Sequence, residues 1–301
     1  MSSRFRIVLL TLSTASAAPT LAQLVPDPPI ECPQCTAWNV PQRPFRIFGD
    51  TYYVGTTELS AVLIAGDDGL VLLDAAVPQS APLIDASIRA LGFDPADIRL
   101  IVNSHTHFDH AGGIAALQRA TTATVAASPR AAEALRAGKP TPDDPQFAIA
   151  NNDFPPVQDV RVIRDGETLT VGSVQITAHF TPGHTPGGTT WSWRSCEASR
   201  CLDVVYADSL NPVSADDFLF TAGKPSIVDS YERSIGIVEE LPCAILLSPH
   251  PGFFDMQEKL SRQAAGKADV FVDQNACRTY AGAARTRLEQ RIAQERASPS
   301  R

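Results

Sequence analysis

Residues 103–113 read "NSHTHFDHAGG". The stretch contains four side chains of the types that commonly bind metals: His105, His107, Asp109 and His110. The apolar residues 98–104 before it predict a buried strand, and the Gly-Gly pair leads into a helix predicted over 111–120. Neutral imidazole and carboxylate are zinc ligands, and a strand end followed by a tight turn brings them together. The stretch therefore predicts a metal site, and four ligands of mixed character favour two ions over one.

Two more histidines occupy similar positions. His184 lies in "TPGHTPGG", after a strand predicted to end at Phe180, and His250 lies in "LLSPHPG", directly after a predicted buried strand. Because α/β proteins build active sites in the loops at strand ends, both are predicted ligands. His179 precedes its turn, within "TAHF", and is expected to be a packed residue or a support for a ligand.

Hydrophobic periodicity predicts an α/β fold, called α+β in some schemes. The first half predicts strands at 45–55, 59–66, 69–75, 98–104 and 122–128, and helices at 79–93, 111–120 and 129–138. The second half predicts a strand meander at 160–180, strands at 188–195, 201–210 and 244–250, and helices at 226–242 and 281–297. This repeated grouping favours two sheet–helix layers that face each other.

A long loop rich in proline and aspartate is predicted over 139–158. Phe147, Ile149 and Phe154 are expected to be exposed in it. Its 147–156 segment is expected either to cover the cleft with apolar contacts or to be an ordinary surface loop.

The N-terminus has the pattern of a secretory signal peptide, with Arg4 and Arg6 before a short apolar run and small residues after it. Cleavage is predicted after Ala22, with Ala17 as an alternative. We expect a signal peptide at 1–22, a proline-rich leader at 23–44 and a single domain at 45–301. The predicted location is the periplasm.

The net charge of −8 comes without basic clusters, which argues against nucleic acid or an anionic membrane as a partner. The six cysteines fit an oxidising compartment, although six cysteines allow about 15 connectivities. "CPQC" at 32–35 could be a redox motif or half of a zinc site, but the chain has no second CxxC.

Together, "HTHFDH", "TPGHTPGG" and "SPHPG" resemble the metallo-β-lactamase superfamily from about residue 45 to 280. More selective stretches are similar to the subclass B3 enzymes: "TYYVGTTELSAVLI", "TAHFTPGHTPGGTTWSW" and "YADSL". The resemblance implies an αββα sandwich of two mixed β-sheets with helices on the outer faces. It also implies two zinc ions in a cleft at the sheet edges.

Carried over by position, the resemblance assigns His105, His107 and His184 to a first zinc ion and Asp109, His110 and His250 to a second. It implies Cys243–Cys277 and Cys196–Cys201 disulfides, while Cys32 and Cys35 have no counterpart and could pair or stay open. The implied reaction is hydrolysis of a β-lactam amide by zinc-bound hydroxide, oriented by Asp109, in a monomeric enzyme acting on penicillins, cephalosporins or carbapenems.

Ser209 and Asn211 match positions that help to hold the substrate carboxylate, and Lys224 is either a further cationic anchor or a plain surface lysine. Many subclass members have a second serine in place of Asn211 and a tyrosine shortly after it, whereas the first tyrosine here is Tyr231. One alternative is an exported lactonase or ester hydrolase in which Asp208 bridges the metals. The other is a metal-binding protein that has lost catalysis.

Overall fold

The computed structural model describes residues 24–121, 123–222 and 227–297. The predicted signal peptide and Lys224 lie outside these ranges. Within them, no helix is both long and apolar enough to cross a membrane.

The first sheet contains seven strands in chain order. They are β1 (Phe45–Phe48), β2 (Thr51–Tyr53), β3 (Val62–Gly66), β4 (Gly69–Leu73), β5 (Ile98–Val102), β6 (Thr124–Ala127) and β7 (Val160–Val162). The first four strands are antiparallel, and the turn at Asp67 and Asp68 joins β3 to β4. From β4 to β7 the strands are parallel, so their carboxyl ends share one edge.

The second sheet has the order β12-β11-β10-β9-β8. Its strands are β8 (Thr168–Val171), β9 (Val174–Phe180), β10 (Thr189–Glu197), β11 (Arg200–Tyr206) and β12 (Ile245–Leu247). Only β11 and β12 are parallel neighbours. Because β9 and β11 both run antiparallel to β10, their carboxyl ends lie at the same edge.

Eight α-helices occur in the described part of the chain. They are α1 (Cys35–Trp38), α2 (Ala81–Ala90), α3 (Phe108–Ala111), α4 (Ile114–Thr121), α5 (Pro129–Ala137), α6 (Ile227–Glu240), α7 (Met256–Ala264) and α8 (Ala276–Ala297). Helices α2, α4 and α5 pack on the outer face of the first sheet, and α6 and α8 pack on the second. The predicted αββα sandwich is therefore confirmed.

The strands of the first sheet divide their side chains between two cores. Val71 and Leu73 of β4 face the second sheet, whereas Leu72 faces the helices. Alternate residues of a strand point to opposite faces, and a sheet covered on both faces must be apolar on both. This explains why the central strands are nearly continuous apolar runs.

Several sequence predictions need correction. The segment 160–180 is not one meander, because β7 pairs in parallel with β6 in the first sheet while β8 and β9 belong to the second. The helix predicted over 111–120 begins only at Ile114, as α4, and the separate short helix α3 precedes it. Phe154 is buried in the helical layer at 5% exposure, whereas Phe147 and Ile149 are exposed as expected.

All six cysteines are paired in the structure. Cys243–Cys277 spans 34 residues, Cys196–Cys201 closes the β10–β11 hairpin, and Cys32 pairs with Cys35. The CPQC motif is therefore a short disulfide loop.

The disulfide with the longest loop is expected to stabilise the fold most. Replacing Cys243 and Cys277 together with serine should lower the free energy of unfolding by about 2–4 kcal/mol, because the cross-link restricts the unfolded chain. Denaturant titration measures this change. The Cys196→Ser/Cys201→Ser variant is the matched control, since its shorter loop should lose less; an equal or larger loss there would contradict the loop-length argument.

Candidate metal centre and active site

The candidate ligands converge because their strands end at the same edge. His105 follows β5, His184 follows β9, and His250 follows β12. Carboxyl ends of strands are a common place for active sites in layered α/β folds. The two sheets thus bring together residues up to 145 positions apart in the chain.

His105, His107 and His184 form the first cluster. One ligand atom from each lies within 4.8 Å of the others, and all three side chains are buried. The ring centroids of His107 and His184 are 4.9 Å apart. His105 Nε2 is buried without a hydrogen-bond partner among the described residues, as expected for an atom reserved for a metal.

Asp109, His110 and His250 form the second cluster. Asp109 Oδ2 lies 3.1 Å from His110 Nε2 and 3.4 Å from His250 Nε2, and the two imidazole nitrogens are 3.2 Å apart. His105 also approaches this group, with its ring centroid 4.3 Å from that of His110. The two clusters are therefore adjacent.

Most of these imidazoles are held from behind by an oxygen acceptor. His105 Nδ1 donates to Asp208 Oδ1 at 2.8 Å, and His184 Nδ1 donates to the Asn211 carbonyl at 2.7 Å. The other two contacts are longer: His107 Nε2 to Asp144 and His250 Nδ1 to the Glu58 carbonyl, both at 3.3 Å. Such contacts fix the tautomer and leave the opposite nitrogen for the metal.

Asp74 supports the base of the metal-binding stretch. Its carboxylate accepts hydrogen bonds from the Ser104 amide at 2.7 Å, the Ser104 hydroxyl at 2.6 Å and the Tyr206 hydroxyl at 2.8 Å. Asp74 is fully buried directly after β4, and the bonds tie β4, β5 and β11 together. It therefore holds in place the segment from which His105 projects.

The two glycines after the motif are required by close packing. A Cβ at Gly112 would lie 2.4 Å from Pro78 Cδ, and one at Gly113 would lie 2.4 Å from the Ala75 carbonyl oxygen. Because neither position has room for a side chain, the turn can press the cluster against the first sheet.

Burial and neighbouring charges shift the pKa values of side chains in both clusters. Burial, together with the neighbouring imidazoles, holds the pKa of His105 and His184 well below the usual histidine range. Burial opposes ionisation of Asp109, but His110 and His250 outweigh it and keep the pKa of that carboxyl well below its usual range. Neutral imidazole and ionised carboxylate are the forms that bind metals.

The donor chemistry of both clusters fits zinc. One cluster offers three imidazole nitrogens, and the other offers two with a carboxylate; both sets are known for this ion. The orphaned Nε2 of His105 and the acceptors behind the rings are what a metal-binding set requires.

The clusters open into a cavity of about 470 Å³. Ser209 and Asn211 line it, together with His107, Asp109, His184 and His250. The role of Ser209 and Asn211 in substrate binding stays a prediction. The loop after α5 reaches the cavity through Gln146 and Asn152. Phe147 and Ile149 instead line a neighbouring cavity, which favours the surface-loop alternative for 147–156 over the apolar cover.

Sequence reasoning missed several residues of this site. Asp74, Asp144 and Gln146 had no signal of their own, since each is a polar residue in an ordinary strand end or loop. Trp38 and Phe253 form apolar walls, and Trp38 lies three residues after the CPQC motif. His179 does not line the cavity; its Nε2 contacts the Ser192 hydroxyl at 2.8 Å.

Comparison with protein families gives a match over residues 55–250 to the metallo-β-lactamase superfamily. The chain belongs to this superfamily. The match includes all six candidate ligands and ends at His250. It supports a metal-binding hydrolase, in agreement with the clustered donors.

Solved structures of subclass B3 enzymes resemble the chain over most of its length. The Rm3 metallo-β-lactamase is 50% identical, with a TM-score of 0.86 over 88% of this chain and 99% of that one. MEM-A1, a subclass B3 metallo-β-lactamase from a soil metagenome library, is 45% identical, with a TM-score of 0.83 over 86% and 99%. A chicken acyl-coenzyme A thioesterase, MBLAC2, is 25% identical over 72% of this chain and 80% of its own.

Proposed function

We propose that this metallo-β-lactamase superfamily member hydrolyses the β-lactam amide bond of antibiotics with two zinc ions. The observation that carries the proposal is the pair of adjacent three-ligand clusters, four of whose six side chains line one cavity beside Ser209 and Asn211. Similarity to Rm3 and MEM-A1 at 45–50% identity supports a β-lactam over a thioester, since the thioesterase is only 25% identical.

In this proposal His105, His107 and His184 hold one zinc ion, and Asp109, His110 and His250 hold the other. Zinc, when bound, supplies a Lewis acid that lowers the pKa of water to about 7 and polarises the amide carbonyl. Asp208 and the Asn211 carbonyl keep the protons of His105 and His184 on Nδ1. Asp109 faces both neighbouring imidazoles and borders the cavity, so its carboxylate also orients the attacking water.

In this proposal neutral hydrogen-bond donors bind the substrate carboxylate. The described lining of the cavity contains Ser209, Asn211, Gln146 and Asn152 but no lysine or arginine. Ser209 is nearly buried at 2% exposure, so its hydroxyl is pre-positioned. Phe253 and Val213 also line the cavity and offer apolar surface to the substrate.

We also propose that the protein is exported to the periplasm, with residues 1–22 as its signal peptide and 45–301 as the catalytic domain. The complete pairing of six cysteines supports an oxidising compartment. The monomeric state remains a prediction.

Metal removal tests the proposed function. The purified mature protein should hydrolyse a carbapenem, lose that activity with a chelator, and regain it when zinc is added. The change is measured as absorbance of the lactam chromophore, with total zinc measured in parallel. No carbapenem, penicillin or cephalosporin hydrolysis at two zinc ions per chain would refute the β-lactamase assignment and leave the ester or lactone hydrolase as the alternative.

A further inference from the structure

The segment before β1 forms part of the cavity wall. Trp38, in α1, lines the cavity, and its ring centroid lies 5.8 Å from that of His250 and 6.0 Å from that of Phe108. The ring centroid of Phe253 also lies close to that of His250, at 6.2 Å. The proline-rich leader thus supplies an aromatic face to the site.

The C-terminal end of α1 is fixed to the loop between β2 and β3 and to the residue before α2. Thr56 Oγ1 donates to the Trp38 carbonyl at 2.6 Å, and Ser80 Oγ donates to Asn39 Oδ1 at 2.7 Å. The Thr57 amide then donates to the Val40 carbonyl at 3.0 Å. These bonds place the end of α1, and the Gln79 side chain exchanges two hydrogen bonds with the backbone of Ile30, two residues before Cys32. Between these two anchors the turn has a backbone hydrogen bond from the Cys35 amide to the Cys32 carbonyl at 3.2 Å.

The first turn is closed by the Cys32–Cys35 disulfide. Helix α1 has only four residues, and its N-cap residue, Gln34, makes no capping hydrogen bond through its side chain. A helix of this length has no stability of its own in water. Cys35 is 5% exposed and packs in the helical-layer core with Cys32 against it, so the cross-link attaches the turn to that core.

We propose that Trp38 is a specificity-determining wall of the active site and that the Cys32–Cys35 disulfide is the brace that positions it. The Trp38 indole is expected to contact a flat aromatic or heteroaromatic substituent on the β-lactam, because indole binds such groups by offset or edge-to-face stacking. The proposal rests on the proposed function for its substrate. It gives the CPQC motif a role in substrate choice, without redox turnover.

The kinetic test compares two cephalosporins that differ only in one substituent, an aromatic ring or a methyl group. Trp38→Ala should raise KM for the aromatic substrate about tenfold, the equivalent of about 1.4 kcal/mol, and leave kcat within about twofold. KM for the methyl substrate should change less than about twofold. Trp38→Phe should restore most of the lost affinity.

The brace is tested with the Cys32→Ser/Cys35→Ser variant, which should reproduce the selective rise in KM. Adding Trp38→Ala to it should cause no further rise, because both changes remove the same contact. The matched control is Cys196→Ser/Cys201→Ser, a short disulfide at the end of the β10–β11 hairpin away from the site. That control should leave both substrates unchanged.

A fluorescence measurement separates this proposal from the function on which it rests. Trp191 and Trp193 are buried in the core, at 0% and 5% exposure, whereas Trp38 is partly exposed at the cavity. Removing the Cys32–Cys35 disulfide should increase acrylamide quenching of the zinc-loaded protein, and the increase should vanish in a Trp38→Phe background. Unchanged quenching would contradict the proposal that the Cys32–Cys35 disulfide positions Trp38, even if β-lactams are hydrolysed. Increased quenching with no β-lactam hydrolysis would uphold the brace and refute the proposed function.

Equal changes in KM for the two cephalosporins would contradict the proposal that Trp38 determines substrate specificity. Additive effects of Trp38→Ala and the cysteine changes would show that the disulfide acts on the site by another route, which would also overturn the proposal.

Discussion

Replacing His105 with alanine is expected to reduce kcat/KM by about 10³-fold or more. A metal acting as a Lewis acid contributes several kcal/mol to the transition state, and each 1.36 kcal/mol corresponds to about a tenfold change in rate. His105 belongs to the first cluster, and its ring centroid lies 4.3 Å from that of His110 in the second, so its loss disturbs the whole centre. Steady-state kinetics and zinc analysis of the purified variant measure the effect, and circular dichroism checks that it is folded.

His179→Ala is the matched control. This histidine lies in β9, makes its hydrogen bond to Ser192 and does not line the cavity. Its removal should change kcat/KM by less than about twofold, within the range of a substitution away from reacting groups. Near-normal activity of His105→Ala would exclude the metal assignment.

Asp208→Ala is expected to weaken zinc binding and activity by about 10- to 100-fold, the usual effect of losing the group behind a metal-binding histidine. The carboxylate is fully buried and accepts from His105 Nδ1, on the side of the ring away from the orphaned Nε2. Asp208→Asn should lose less, because its amide oxygen still accepts that hydrogen bond. Zinc titration and kcat/KM of both variants provide the measurements.

The same pair of variants distinguishes the two hydrolase hypotheses. If Asp208 supports His105, both variants still bind two zinc ions when zinc is in excess. If Asp208 bridges the ions, as in the lactonase or ester hydrolase alternative, Asp208→Asn should lose one zinc ion per chain as fully as Asp208→Ala. Comparable loss in both would therefore contradict the positioning role.

The layered fold and the meeting of the histidines could be predicted because they depend on local patterns. Apolar strands that end in "HTHFDH", "TPGH" and "SPH" place their ligands at one edge once the sheet order is assumed. The error over 160–180 has a physical cause. β7 and β8 have similar short β-forming patterns, and only tertiary pairing decides that they belong to different sheets.

The supports of the site could not be predicted from the sequence. Asp74 and Asp144 act on the metal-binding stretch through contacts between residues 30 and 37 positions apart, and nothing in their local sequence distinguishes them. The carbonyls of Glu58 and Asn211 are even less visible, because every residue has a carbonyl. Phe154 was expected at the surface from its polar surroundings, but the loop folds it back into the helical layer.

Asn211 holds His184 with its backbone carbonyl, which also accepts the Tyr231 hydroxyl at 2.9 Å. Any residue at this position has a backbone carbonyl, so the support of His184 does not depend on the amide side chain. Substitution of Asn211 can therefore change the side chain that lines the cavity while the support of His184 is retained. The side chain at this position can vary because the support of His184 comes from the main chain, whereas the lining of the cavity comes from the side chain.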